Sequence, residues 1–240
     1  MKIIIGTHIH ETPRLGLFLD SINKLPNLPA ILCYALHSEG HLPKTIPAPF
    51  ERTGMDIRIA SQVIPGSKSD KPLVNDMFTR LALLNPNGYF LFVNSDVELC
   101  PAIFESIAMD WKSDTKVAAL YRYDYGPAYG NTLVTGQDGF FVESRWWLQQ
   151  QRKFEDIPNV LGEPAWDNAF TCTMMDIAGQ ANVLHFANLL YHRVHVQRWT
   201  HEGHDWQTYL AKQWINCPSR GLWESFDVNK ILQCNIKRTI

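Results

Sequence analysis

Residues 89–101, Tyr-Phe-Leu-Phe-Val-Asn-Ser-Asp-Val-Glu-Leu-Cys-Pro, decide how this chain reads. Tyr89 to Val93 form a short apolar run with no polar alternation, which predicts a strand buried on both faces of a sheet. The run opens directly onto Asn94, Asp96 and Glu98. Along an extended backbone alternate residues point to one side, so these three oxygen-bearing side chains can converge. Just upstream, Val74, Met77, Phe78, Leu81 and Leu84 repeat at helical spacing, and Asn85-Pro-Asn-Gly88 ends that helix. A helix feeding a buried strand that ends in a polar loop is the unit of an α/β sheet covered on both faces.

Working outward, Lys2–Gly6 reads as a first strand, and residues 12–25 as a helix with Pro13 near its start and Leu15, Phe18, Leu19 and Ile22 on its apolar stripe. Ala30–Leu36 reads as a second strand, Leu42–Phe50 as a Pro-rich loop, and Asp56–Ile64 as a third strand. Residues 65–72 form a turn-rich loop. Downstream, Val117–Tyr123, Thr132–Thr135 and Gly139–Val142 read as strands, Ser144–Arg152 and Glu163–Ala178 as helices, and Asn182–Tyr191 as a last strand. Trp166, Phe170, Met174 and Ile177 form the stripe of the second of those helices. The last twenty residues read as a docked tail. No repeat of 20–50 residues and no linker is visible, so 1–240 is expected to be one domain.

The composition narrows the function. With 45% apolar and 19% charged residues the chain is neither disordered nor fibrous. A net charge of −2 gives no bulk electrostatic case for a nucleic-acid or anionic-membrane binder. No secretory signal is expected, since the apolar run after Lys2 is only three residues long against roughly 7–15 needed, and no stretch approaches a membrane span. Cys33, Cys100, Cys172, Cys217 and Cys234 are odd in number, with no C-x-x-C, and read as free thiols in a reducing cytosol. Two residue types are skewed: seven of eight Trp follow residue 140, and five of nine His lie between His185 and His204.

Ligands of open α/β sheets bind beyond the carboxyl ends of the strands, where Asn94, Asp96 and Glu98 lie. Hard oxygen donors of this kind suit Mg²⁺ or Mn²⁺ bridging two phosphates. The plainer alternative is that Asn94 and Asp96 cap a turn before a helix that has Pro101 inside its start. Arg14, Lys68 and Lys71 read most simply as a solvated face, and Asn75 and Asp76 either bind or open a helix. His8 and His10 lie in the loop after the first strand. Asp138, bracketed by glycines, is either a hairpin tip or a site residue. His192, His195, His201 and His204, with Arg193 among them, lack the neighbouring Cys or the helix spacing of a zinc site.

Residues 89–101 resemble the metal-binding strand of GT-A glycosyltransferases, especially the family 2 type. Four further blocks resemble the same family in the same order: 71–78, 136–142, 157–168 and His192-Arg-Val-His195. The resemblance implies an α/β fold of the GT-A, Rossmann-like kind, a mixed central sheet flanked by helices. It also implies transfer of a sugar from a nucleotide diphosphate donor to an acceptor hydroxyl with Mn²⁺ or Mg²⁺. On it, residues 1–100 form the nucleotide-sugar-binding half, 101–215 the acceptor half and 216–240 the tail. Asp96 is the metal ligand, joined by His195 or His192, and Glu98 is an alternate. Thr7, Arg14, Lys71, Asn94, Ser95, Asp138 and Arg193 fall on the nucleotide sugar. Asp167 becomes the general base, with Glu155 and Asp156 second. Trp166, with Trp199 or Trp206, would flank the acceptor cleft, while Trp146 and Trp147 serve packing. The acceptor stays open: glycan, small molecule or modified nucleobase. A nucleotidylyltransferase of the same fold is the alternative, against which stands the lack of a Gly-rich loop after Gly6. A catalytically silent binding module is another, suggested by Asn94 where the family motif has Asp.

Overall fold

The computed structural model describes residues 2–9, 14–26, 30–38, 45–53, 57–126, 132–155, 159–162 and 166–194. Eight strands form one sheet: β1 (Ile3–Thr7), β2 (Leu32–Ala35), β3 (Phe50–Arg52), β4 (Tyr89–Val93), β5 (Val97–Leu99), β6 (Val117–Tyr125), β7 (Thr132–Glu143) and β8 (Val183–Arg193). Their spatial order is β3-β2-β1-β4-β7-β6-β8-β5. β1 to β4 are mutually parallel, β7 runs antiparallel to β4 and β6, β8 is parallel to β6, and β5 closes the far edge antiparallel to β8. The chain builds outward from β1 through β2 to β3, then returns to add β4 on the other side. That reversal of order between β1 and β4 makes their carboxyl ends the switch point where ligands of such sheets bind.

Helices cover both faces, and the strand period of two decides which residue faces which layer. Ile4, Phe90, Phe92, Ala119, Phe140 and Val142 share one core with α3 (Val74–Leu84), α5 (Ser144–Gln150) and α6 (Trp166–Ala178). Ile5, Leu91, Val93, Ala118, Leu120 and Phe141 face the other, with α1 (Leu15–Asn23) and α4 (Ile103–Asp110). The remaining α2 (Ala60–Val63) is a single turn. Phe78 of α3 is the hub of the first core, with ring centroids 4.9 Å from Phe170, 5.1 Å from Trp147 and 5.2 Å from both Phe90 and Phe92. Trp146 and Trp147 are buried beside it, which accounts for part of the tryptophan skew. Asn85 ends α3 and ties it back to the sheet, its Nδ2 donating to the carbonyls of Lys2 and Tyr89.

The link between β4 and β5 bends the whole sheet. Val93 and Val97 are four residues apart, which spans about 14 Å at full extension. Four strand spacings separate β4 from β5, and laid flat these would measure about 19 Å. The sheet therefore curls back on itself. Val97 and Leu99 of β5 join the same core as Ile5 and Val93, and the Leu99 amide donates to Ser21 Oγ of α1.

Two irregularities feed the site. Between β6 and β7 the register passes from Leu120↔Gly139 to Tyr121↔Gln137, so Asp138 is a bulge without a ladder partner. Between β6 and β8 it passes from Leu120↔Phe186 to Arg122↔Leu190, giving β8 two extra residues around Asn188, whose φ is +63°.

Two expected elements differ. Residues 57–64 contain only an isolated bridge at Ile59 and the turn of α2, and the third strand is Phe50–Arg52. A three-residue edge strand is too short to show periodicity, and Ile57 joins the α3 core from a loop and Ala60 from the start of α2. The expected pair of strands around a tip at Asp138 is one continuous strand, β7, with its bulge at that residue. Cys33, Cys100 and Cys172 are free, and burial pushes the Cys33 thiol up to about 12, leaving it inert. Cys217, Cys234 and the expected tail lie outside the described residues.

A side chain cannot be added to β1 beneath α3: a Cβ at Gly6 would stand 2.3 Å from Leu81 Cδ2. Gly6→Ala is expected to cost about 1–3 kcal/mol in urea unfolding. In a double-mutant cycle with Leu81→Ala the two costs should be markedly less than additive.

Candidate functional site

The curl brings polar groups from four strands into a closed circuit at the carboxyl ends of β4, β6 and β8. Asn94 Nδ2, just past β4, donates to Asp138 Oδ1 at 2.7 Å. Asp138 Oδ2 accepts from an Arg122 terminal nitrogen at 3.1 Å. Arg122 Nε lies 2.9 Å from Asp124 Oδ1, an ion pair whose angle misses the hydrogen-bond direction. The same Asp124 oxygen is 2.9 Å from His192 Nδ1, and His192 Nε2 faces Asp96 Oδ2 at 3.6 Å. Asp96 lies two residues from Asn94, so the chain itself closes the ring.

The backbone explains the meeting. Arg122 and Asp124 are alternate residues near the end of β6. Asp124 and Val97 are both register partners of His192, which places β6, β8 and the start of β5 in one row. The Asp138 bulge turns its carboxylate toward Asn94 and Arg122 from the strand between them. Beside the ring, Asp167 in the first turn of α6 accepts from the Gln137 amide at 2.9 Å. Gly136 leaves it room, since a Cβ there would sit 3.0 Å from Asp167 Oδ2. Gln137 is fully buried and accepts from Thr171 Oγ1 at 3.2 Å.

Charge and burial act against each other here. Burial pushes the Asp138 carboxyl above its ordinary range, and nearby Asp96 adds to this, against the pull of Arg122. Burial, reinforced by Asp138, raises Asp167 to about 6. For Arg122, burial disfavours the charge, but Asp138 and Asp124 outweigh it and hold the guanidinium more firmly protonated than usual. Burial likewise opposes a charge on His192, yet its bonds to Asp124 and Asp96 win and raise it to about 9.

Of the residues singled out in the sequence, Asn94, Asp96, Asp138 and His192 are brought into one circuit, and Asp167 adjoins it. Ser95 is buried in the link. Thr7 is fully buried at the end of β1, its Oγ1 without a hydrogen-bond partner among the described residues. Beyond it His8 and His37 lie with ring centroids 5.5 Å apart and their planes tilted by 54°. Glu98 turns away along β5 and accepts from the Tyr125 hydroxyl. Lys71 Nζ donates to the Gly162 carbonyl at 3.2 Å. Asp76 pairs with Arg58 at 2.7 Å and Asn75 donates to the Phe154 carbonyl, so both serve the joint between α3 and its neighbours. Arg14 directly precedes α1, Lys68 lies in the loop before α3, and Arg193 is exposed at the end of β8. Glu155 follows the short turn after α5.

Trp166 departs from the expectation. It is 4% exposed and packs against Phe92, Phe140 and Phe170, so the ring serves the core and offers no open face for a sugar. Its spacing in the apolar stripe of α6 already carried that role. His10, Asp156, His195, Trp199, His201, His204 and Trp206 lie outside the described residues. Two members of the circuit, Arg122 and Asp124, were not singled out at all. Their signal was the alternation of charge with tyrosine in Tyr121-Arg-Tyr-Asp-Tyr125, at the end of a strand.

Among the described residues no three of His, Cys, Asp and Glu come together as a metal site. Asp96 and His192 supply an oxygen and a nitrogen donor 3.6 Å apart, with Asp96 partly open to solvent. Two protein donors fit a divalent ion whose remaining ligands are water and phosphate oxygens.

No protein-family model and no curated protein matches the sequence. Solved structures do. A crystal structure of residues 1–349 of S. aureus TarS in complex with UDP-GlcNAc superposes with a TM-score of 0.57 at 10% identity, over 93% of this chain and 69% of that one. Glucosyl-3-phosphoglycerate synthase from Mycobacterium tuberculosis, in complex with Mn²⁺, UDP-glucose and phosphoglyceric acid, does so with a TM-score of 0.53 at 12% identity, over 89% and 78%. The chain has the GT-A fold. Within the GT-A sheet the circuit occupies the carboxyl-end rim, beside the switch point of β1 and β4. Among the described residues no helix is long and apolar enough to cross a membrane.

His192 ties this rim to stability. A histidine raised to about 9 stabilises the fold fully below about pH 6.5, and that contribution is lost as pH rises through 9. In metal-free protein, denaturant midpoints should show wild type exceeding His192→Gln by up to about 3 kcal/mol at pH 6, with the gap closing by pH 10.

Proposed function

We propose that this chain is a metal-dependent glycosyltransferase that moves a sugar from a nucleotide diphosphate donor to an acceptor hydroxyl. The observation that supports this best is the convergence of Asp96 and His192 on the carboxyl-end rim of a GT-A sheet, with Asp167 beside them. The two GT-A structures named above hold UDP-GlcNAc and UDP-glucose, the latter with Mn²⁺, which favours a UDP-linked donor over a GDP- or dTDP-linked one.

In this reading Asp96 and His192 hold Mn²⁺ or Mg²⁺, which when bound neutralises charge on the donor diphosphate. Thr7, Asn94 and Ser95 lie along the switch point, where the nucleoside and ribose would rest. Asn94 Oδ1 is a buried acceptor without a partner among the described residues, available to a ribose hydroxyl or a bound water. Arg14, Lys71 and Arg193 supply cationic contacts to the diphosphate from the edges of the cleft. Asp138, fixed by Asn94 and Arg122, faces the sugar. The acceptor oxygen attacks the anomeric carbon while the carbon–oxygen bond to the diphosphate breaks, and the bonding pair leaves with the diphosphate. Asp167 takes the acceptor proton. Raised to about 6 by burial and by Asp138, it is ionised at neutral pH yet basic enough to accept that proton. The first hundred residues then carry the donor, and the second half supplies the base and closes the site.

Titration calorimetry with UDP-glucose and UDP-GlcNAc, with and without Mn²⁺, tests the reading, and absence of nucleotide-sugar binding in every condition would sink it. Asp96→Ala should abolish Mn²⁺-dependent donor binding. Asp167→Asn should bind donor nearly as wild type but lose transfer by about 10²–10⁴-fold. The acid limb of the wild-type kcat/KM profile should bend near pH 6. Transfer by Asp167→Asn at the wild-type rate would remove the base assignment.

A further inference from the structure

His192 enters the rim from β8, and an imidazole can offer a cation only one lone pair. In the neutral ring one nitrogen carries hydrogen and the other is free, so the partner of the first decides where the second points. Asp124 is that partner. It lies directly across the parallel ladder from His192, with Oδ1 2.9 Å from Nδ1, while Nε2 is turned to Asp96 at 3.6 Å. Arg122 holds the same Asp124 oxygen from the other side at 2.9 Å and is itself anchored on Asp138. The histidine side chain is 5% exposed and that of Asp124 16%, so both are largely enclosed.

We propose that Asp124 is a positioning residue: by accepting the Nδ1 hydrogen of His192 it directs Nε2 toward Asp96 and so completes a two-residue site for a divalent cation that carries a nucleoside diphosphate. This rests on reading the rim as the donor site. Asp124 has no role as a ligand in this arrangement and acts only through His192. Arg122 balances its charge, so that a carboxylate can stand on a nearly buried ring without an unpaired negative charge. The two extra residues of β8 around Asn188 set the register in which Asp124 and His192 meet.

The test is Mn²⁺ binding by the full chain in the presence of UDP, followed by the loss of the free Mn²⁺ signal in electron paramagnetic resonance. Circular dichroism and thermal melting are recorded on each variant. Asp124→Ala should weaken Mn²⁺ binding about 10–100-fold, the usual effect of losing a group that orients a ligand. Asp124→Asn, whose amide oxygen can accept the same Nδ1 hydrogen, should stay within about threefold of wild type. In a His192→Ala background, Asp124→Ala should have no further effect, because its route to the cation is gone. If wild type binds Mn²⁺ with UDP and Asp124→Ala binds equally tightly, the inference is overturned while the donor-site reading stands. An additive loss in the His192→Ala background overturns it in the same way. Should Asp124→Ala not fold, Asp124→Asn decides, and a loss of about tenfold or more overturns the proposal. If wild type binds no Mn²⁺ with UDP, the donor-site reading and this inference fall together.

Discussion

The rest of this structure depends on a link that is too short. Asn94, Ser95 and Asp96 must carry the chain from the centre of an eight-stranded sheet to its far edge, and a flat sheet would put that edge out of reach. Curling resolves the conflict, and the right-handed twist of strands makes curling available. Once the sheet is curled, side chains that belong to strands well apart in the order look at one another. Val97 and Leu99 thereby share a core with Ile5 and Val93 beneath α1 and α4, while Asp96 meets His192 because the next residue, Val97, is the register partner of His192 across β5 and β8. The link is thus both the tether that shapes the sheet and the carrier of the site.

A rim lined with carboxylates is expensive to bury, and the arrangement here alternates charge around the ring. In the metal-free protein Asp138, Arg122, Asp124, His192 and Asp96 follow one another as negative, positive, negative, positive and negative groups. Each buried ion has a partner on either side or an opening to solvent, which is the condition under which such groups are tolerated. The surplus is negative, on the side where Asp96 is partly exposed. A rim built in this way attracts cations to one place while its buried remainder is neutralised internally.

Much of this was legible in the sequence, for physical reasons that differ by element. Val74–Leu84 and Tyr89–Val93 are regular and fully committed to the core, so period and apolarity alone place them. Asp96 and His192 could be named because Asp96 follows closely on a buried strand and His192 belongs to the histidine cluster near the end of the last one. β3 was missed because three residues carry no period, and β5 because Val97–Leu99 is held by the curl and by α1 and not by its own pattern. Gly-Gln-Asp-Gly has turn chemistry, yet β7 pairs with β6 on both sides of Asp138 and runs through the bulge as one strand. Arg122 and Asp124 stayed hidden because charges at a strand end ordinarily face water, and their partners are 16 and 68 positions away.

The hydrogen bond from Asn94 to Asp138 gives the departure from the Asp-x-Asp pattern a different meaning. An aspartate at position 94 would set two carboxylates 2.7 Å apart, and the pair could persist only by sharing a proton. Asparagine supplies the hydrogen that Asp138 needs, so the amide is the residue the neighbouring strand demands. A carboxylate stands beside position 94 all the same, supplied one strand along the sheet by Asp138 of β7. Read along the chain, position 94 lacks an acid; read across the sheet, an acid is its hydrogen-bond partner.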